Sequence, residues 1–309
     1  MQYRKVRIFH NRRSGLRTTH LRVIQKAVDQ FWSPLCDDIA WYFPNTPEAC
    51  RTMLDHALSD GADCILVSGG DGTVSSIGRR LIGTNIPMGV IPLGSGNGVA
   101  RHFNQSLSPV KSIRQIANGV LYDMDVGSIN GSPFLVSASV AWDAALVRQY
   151  NHLPMRGIGS YLLAAAISFI GYRTQPLQIT IDGKERLSLN APLFFTVGNL
   201  SEWGGGARID LSAKANDGLL ELVSGEHRDA FSMLLNLESV FFDEGCKVLP
   251  NVLYRRFSTL DIHRPCAQPI QIDGELIDCG ADIHISVRPK ALRLLCPKSL
   301  GMDAKPSVR

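Results

Sequence analysis

Two rhythms divide the chain. From residue 3 to about residue 120, short apolar runs alternate with segments whose apolar residues recur every three or four positions. Strands are expected at 6–10, 39–43, 64–68 and 88–91, and helices at 18–31, 47–58, 74–81, from 99 to 103 and at 109–118. Strands alternating with helices predict a doubly wound parallel α/β sheet. Beyond residue 122 the runs shorten and grow rich in β-branched and aromatic residues, at 134–140, 177–181, 186–189, 193–197, 219–223, 260–262, 270–272 and 283–287. They predict a β-rich, sandwich-like second domain with helical interruptions at 159–171 and 229–242. The α/β domain is expected over 1–122, rejoined by 292–309, where Leu292-Arg293-Leu294-Leu295 reads as a last strand, and the β-rich domain over 123–291.

Glycine-rich turns come directly after two of the apolar runs. Ser68-Gly69-Gly70-Asp71-Gly72-Thr73 succeeds Cys64-Ile65-Leu66-Val67, and Gly94-Ser95-Gly96-Asn97-Gly98 succeeds the run at 88–92. Glycines let the backbone approach a ligand closely, a helix N-terminus directs free N–H groups at an anion, and Asp71 offers a carboxylate for a metal ion or a proton. Asn11-Arg12-Arg13-Ser14-Gly15 succeeds the first strand in the same way. Ligands of doubly wound sheets gather beyond the carboxyl ends of the strands, so one phosphate-bearing ligand can meet all three turns. Neither glycine loop contains the Gly-Lys-Ser/Thr of a P-loop, and Val99 stands where a dinucleotide fingerprint needs its third small residue.

Composition narrows the partners. A chain of 309 residues, 45% hydrophobic and 19% charged, can bury a core for one domain or two. The net charge of +4 comes from scattered basic residues, which argues against a nucleic-acid groove and leaves room for transient contact with an anionic membrane surface. Seven cysteines without a Cys-x-x-Cys pair predict reduced thiols, and the polar start without a signal-like apolar stretch predicts a cytoplasmic protein, peripheral at most to a membrane. The longest apolar segment, 161–170, is about half the ~20 residues of a membrane-spanning helix. A buried helix is the simple expectation for it; the other is a helix that walls a lipid pocket.

Gly69-Gly70-Asp71-Gly72-Thr73 followed by Pro92-Leu93-Gly94-Ser95-Gly96-Asn97 resembles the diacylglycerol kinase and sphingosine kinase catalytic-domain family. The resemblance continues through Ala141-Trp142-Asp143-Ala144, Val197-Gly198-Asn199 with Gly204-Gly205-Gly206, Asn216-Asp217-Gly218-Leu219-Leu220, Asp273-Gly274-Glu275 and Pro289-Lys290-Ala291-Leu292. It implies an α/β nucleotide domain followed by a β-rich domain, with ATP in the cleft between them and a lipid hydroxyl as acceptor. On the matching positions it implies that Gly69, Gly70, Asp71, Gly72, Thr73, Val74 and Ser75 wrap the ATP phosphates. Gly94, Ser95 and Asn97 would complete the nucleotide site, with Asn11, Arg12, Arg13, Ser14 and Gly15 as its first loop. Two departures stand out: Arg12 where the family usually has Pro, and Gly98 where diacylglycerol kinases often have Asp, the latter closer to the sphingoid-base version.

Three Asp-Gly pairs carry two meanings each. Asp182-Gly183 reads as a plain hairpin turn. Asp273-Gly274 sits in a similar frame, yet the resemblance implies that Glu275 accepts the proton of the acceptor hydroxyl; Asp71 is the other candidate. Asp217-Gly218 is either a turn or, as the resemblance implies, part of a structural Mg2+ site formed by the Asp217 carboxylate with the main chain of Lys214 and Leu219, an all-oxygen shell that suits a hard ion. The expected reaction is ATP-dependent phosphorylation of a lipid, of diacylglycerol or sphingoid-base type. A soluble-metabolite kinase of NAD kinase type and a non-catalytic nucleotide-binding regulator are the alternatives. The histidines, His102 and His152 among them, form no motif.

Overall fold

A computed structural model describes residues 2–12, 18–142, 146, 149, 168, 172–204, 207–208, 213–226, 229 and 251–298. The expected helices at 159–171 and 229–242, apart from Ser168 and Asp229, and Arg13, Ser14 and Gly15 of the first loop, lie outside the described residues. The chain divides into two units, Met1–Met124 with Lys290–Arg309, and Asp125–Pro289.

In the first unit, β1 (Tyr3–His10), β2 (Cys36–Tyr42), β3 (Cys64–Gly69) and β4 (Met88–Pro92) form a parallel sheet in the order β2-β1-β3-β4. This is the doubly wound arrangement expected. All six residues of β3 and all five of β4 are buried, as strands covered on both faces require. Helix α1 (Thr18–Trp32) packs on α5 (Pro109–Ala117), and α2 (Pro47–Ser59) on α3 (Asp71–Leu81). Thr46 caps α2 by accepting the N–H of Ala49 at 3.1 Å, with Pro47 in the first turn. Val6 and Ile8 of β1, Ile24, Val28 and Trp32 of α1, Leu66 of β3 and Ile113 of α5 make one core, each side chain contributing about 1.5–3 kcal/mol by burial. Asn97 precedes the short helix α4 (Gly98–His102).

Burial of the His102 ring holds its pKa down to about 4. Its folded value lies below the ordinary 6.5, so the neutral form is favoured in the folded chain. The contribution of this group to stability is therefore full above pH 6.5 and is lost as pH drops toward 4, by at most about 3 kcal/mol. Urea unfolding at pH 7, 5.5 and 4 is expected to show this loss, and to show less of it in His102→Gln.

The described strand pairs within the second unit are antiparallel. β5 (Val120–Ile129), which begins in the first unit, pairs with β6 (Ser132–Phe134). A further sheet places β7 (Ser137–Ser139) next to β10 (Pro192–Gly198) and β10 next to β13 (Leu220–Glu226). The outer neighbour of β13 is β14 (Val252–Phe257), and on the other side come β16 (Ile270–Ile272) and the edge strand β17 (Glu275–Ile277). β8 (Leu177–Ile181) pairs with β9 (Glu185–Leu189) and with β15 (Thr259–His263), and β15 pairs with the first residues of β18 (Asp282–Cys296). β11 (Glu202–Gly204) and β12 (Ala207–Arg208) make a separate pair. Leu260 and Ile262 are buried while Asp261 and His263 face water, the alternation of a sheet with one wet face.

Two differences from the sequence expectation concern β18 and the 134–140 run. The expected strands at 283–287 and 292–295 are one strand, continuous through Pro289 and through Lys290 with its positive φ of 51°. Its last residues return to the first unit, where Leu294 and Leu295 pair in parallel with Met88 and Gly89. The 134–140 run is broken in two, because the main chain at 135–137 bonds to side chains, the Asp273 carboxylate and the Asn199 amide.

Candidate active site

Three expected loops of the first unit lie beyond the carboxyl ends of its strands, Asn11 after β1, Gly70 after β3 and Gly94 after β4. They are tied to one another. The Asn11 amide donates to Thr73 Oγ1 at 2.8 Å, and its main-chain N–H to the Ser68 carbonyl at 2.9 Å. Asp71 opens α3, yet its carboxylate reaches the other glycine loop: Oδ2 accepts the N–H of Asn97 at 2.8 Å and Oδ1 that of Gly98 at 2.7 Å. Asn97 sits at φ 57° and closes its own turn, its Oδ1 accepting from Gly94 N–H at 2.9 Å and its Nδ2 donating to the Gly94 carbonyl at 2.7 Å.

This fit needs glycine at two positions. A Cβ on Gly94 would stand 2.7 Å from the Gly70 Cα, and one on Gly70 3.2 Å from the Gly94 Cα. The loops therefore pack backbone on backbone. No described side chain caps α3, which leaves its first turn to receive an anion. Gly72 and Ser95 are exposed at this place, while Val74 and Ser75 point inward and are buried. Any contact of Val74 with a ligand is thus a main-chain contact.

Aromatic rings line the first two strand ends. Arg12 lies over the Phe43 ring at 4.7 Å, Phe43 stacks on Trp41 with centroids 6.1 Å apart, and buried His10 lies 2.9 Å from Ser68 Oγ. Burial first, then the nearby Arg12 cation, lowers the His10 pKa. Arg12, the departure from the family pattern, thus has a partner in Phe43, which the sequence reading did not single out.

In the second unit, Asp273 and Gly274 are the turn of the β16–β17 hairpin, both at positive φ of 49° and 86°. Glu275 is the first residue after this turn, opposite Ile272, on an edge strand and exposed. The turn is fixed from outside. The Asp273 carboxylate accepts three successive main-chain N–H groups, from Leu135 at 3.0 Å, Val136 at 2.8 Å and Ser137 at 3.2 Å, and its own N–H donates to the Ser137 carbonyl. Asn199 holds the same segment, donating from Nδ2 to the Leu135 and Asp125 carbonyls, both at 2.8 Å. Asp182 fixes its own turn in a comparable way, accepting the N–H groups of Ser258 and Thr259 at 2.9 Å.

The turn with Lys214, Asp217 and Leu219 is pinned by a residue that sequence reasoning missed. Fully buried Asp125 accepts the Gly218 N–H at 2.7 Å, and its own N–H donates to the Ala215 carbonyl at 2.7 Å. One oxygen of Asp217 accepts the Leu219 N–H at 3.2 Å and the other is paired with Arg256, whose Nε also lies 3.4 Å from the buried Glu221. The donors are oxygen only, as Mg2+ requires, but Arg256 already neutralises the carboxylate. No group of three or more His, Cys, Asp or Glu side chains suited to a metal ion occurs among the described residues. A divalent cation at this turn would have to compete with that guanidinium for the Asp217 carboxylate.

The apolar segment 161–170, expected as a buried helix or as the wall of a lipid pocket, lies outside the described residues apart from Ser168. No described helix is long and apolar enough to cross a membrane.

Comparison with known proteins covers both units. Residues 5–129 match the diacylglycerol kinase catalytic domain family, and residues 136–296 match the YegS C-terminal NAD kinase beta sandwich-like domain. A diacylglycerol kinase of Mycobacterium tuberculosis (strain CDC 1551 / Oshkosh) is 30% identical over 255 residues, covering 80% of this chain and 81% of that one. A protein of Salmonella paratyphi A named "Probable lipid kinase YegS" is 25% identical over 254 residues, with 80% and 82% covered. The crystal structure of a diacylglycerol kinase from Bacillus anthracis str. Sterne superposes with a TM-score of 0.74 at 17% identity over 97% of this chain and 99% of that one, a likeness of fold.

Proposed function

Because the chain belongs to the diacylglycerol kinase catalytic-domain family of lipid kinases, we propose that it transfers the γ-phosphate of ATP to the hydroxyl of a membrane lipid of diacylglycerol or sphingoid-base type. The observation that carries the reading is the bridge from the Asp71 carboxylate to the Asn97 and Gly98 N–H groups. It holds two glycine loops together at an uncapped helix start, an arrangement suited to a triphosphate and unnecessary for chain reversal.

In this reading Glu275 accepts the proton of the lipid hydroxyl as its oxygen bonds to the γ-phosphorus, the bond to the β–γ bridging oxygen breaks, and ADP leaves. An alcohol is far less acidic than a carboxylic acid, so proton transfer accompanies the attack. Asp71, with both oxygens already accepting main-chain N–H groups, positions the loops and is the poorer base. Mg2+ enters with ATP as substrate and offsets charge on the phosphate oxygens. The lipid is reached by transient contact with a membrane surface. Mixed micelles with γ-labelled ATP test the proposal: label is expected in diacylglycerol or a sphingoid base, whereas label in NAD would favour the soluble-metabolite reading.

At 214–219, Mg2+ would bind in exchange for the Arg256 guanidinium. Arg256→Gln is then expected to unfold at a lower temperature than the parent but to regain more on adding Mg2+, as thermal melts with and without the ion would show. An equal response of both proteins to Mg2+ would leave Asp217-Gly218 as a turn alone.

A further inference from the structure

The hairpin that carries Glu275 is short. Its ladder has three residue pairs, Ile270 with Ile277, Gln271 with Leu276 and Ile272 with Glu275, and β17 is an edge strand. So small a hairpin is marginal by itself. Asp273 fixes its tip, but nothing in the ladder fixes its open end, where the chain arrives from β15 and leaves for β18.

Arg264 closes that end. Continuing the register outward places Gln268 opposite Cys279. In place of a further strand pair, one guanidinium nitrogen, Nη2, donates to both carbonyls, that of Gln268 and that of Cys279, the latter at 2.9 Å. Nε donates to the Gly280 carbonyl at 3.0 Å, and the Arg264 main-chain N–H to the Ala281 carbonyl at 3.0 Å. A single side chain thus spans both strand ends with a rigid planar fork, which the point charge of a lysine cannot do.

Stability alone is a poor reason for this residue. Arg264 is fully buried, its acceptors are carbonyls rather than carboxylates, and its Nη1 has no hydrogen-bond partner among the described residues. A buried cation held by carbonyls alone carries a desolvation cost that apolar packing at the same place would avoid. What its donors secure is the separation and twist of the two strands that present Glu275.

We propose that Arg264 is a positioning residue for the reaction, holding the open end of the β16–β17 hairpin so that Glu275 keeps its place relative to the acceptor hydroxyl. This rests on the reading of Glu275 as proton acceptor. A misplacement of the order of an ångström is enough to cost a reacting group much of its effect.

The test is a double-mutant cycle of Arg264→Met and Glu275→Gln, with Arg264→Lys as a milder variant should Arg264→Met fail to fold. Arg264→Met is expected to lower kcat about ten- to a hundredfold, with KM for ATP unchanged, and to add no further loss in the Glu275→Gln background. Hydrogen exchange is expected to quicken at the amides of 270–277 and to stay unchanged at 220–226 and 252–257. Equal losses in both backgrounds, or exchange that quickens throughout the unit, would show a general structural role and overturn the proposal. Full turnover by Glu275→Gln alone would instead remove the proton-acceptor reading on which the proposal stands.

Discussion

Replacing Glu275 by glutamine is expected to lower kcat about a hundred- to ten-thousandfold, the contribution of a positioned general base, while the Kd for ATP stays unchanged. Glutamine preserves the size and reach of the side chain and removes its capacity to take a proton. Glu275 is exposed on an edge strand and its turn is held by Asp273, so the substitution leaves the hairpin intact. Thermal melting is therefore expected to match the parent closely. Turnover equal to the parent's would remove Glu275 from the chemistry.

The second large effect is expected at Asp71, and it has a different signature. Both oxygens of Asp71 accept main-chain N–H groups of the 94–98 loop. In Asp71→Asn one of those N–H groups meets an amide NH2 instead of an acceptor. The change costs about 1–3 kcal/mol for the lost charge-assisted bond and the unsatisfied donor. The loops then separate, and ATP affinity is expected to fall about ten- to a hundredfold, with kcat falling as well. Calorimetric titration with ATP distinguishes the two carboxylates: Glu275→Gln spares binding and Asp71→Asn weakens it. A variant Asp71→Asn that binds ATP as tightly as the parent would show that the bridge between the loops does not shape the phosphate site.

The glycine loops were legible because each comes after a wholly apolar run. Buried parallel strands announce themselves in that way, and the helix start after Gly70 emerges from the same pattern, although α3 begins three residues earlier than the expected position 74. Strands without that contrast were not legible. In β14 two arginines, Arg255 and Arg256, interrupt the apolar pattern because their heads pair with Glu185 and with Asp217. The three residues of β17 are too few to show a period, and in β5 Tyr122, Asp123 and Asp125 obscure an otherwise apolar strand.

The site divides along the same line. Asp71 and Glu275 were found as residue types in a motif, but what Asp71 grips lies 26 residues away in sequence, and a carboxylate that accepts main-chain N–H groups leaves no mark on the sequence of its partners. Asp125, Asp273 and Arg264 act through carbonyls and amides in the same way. Composition at Leu135, Val136 and Ser137 gives no hint that three consecutive N–H groups there converge on one acid. The Arg256 pair with Asp217 is likewise a tertiary fact, and it changes the metal question at 214–219 from one of ligands to one of competition.

The central claim is that this chain couples ATP cleavage to phosphorylation of a lipid hydroxyl, and counting both products in one reaction tests it most directly. With diacylglycerol or a sphingoid base in mixed micelles, the account predicts one lipid phosphate formed for each ADP released, with little ADP when the lipid is left out. ADP release that is indifferent to lipid, or tight ATP binding with no phosphate on any lipid offered, would contradict it.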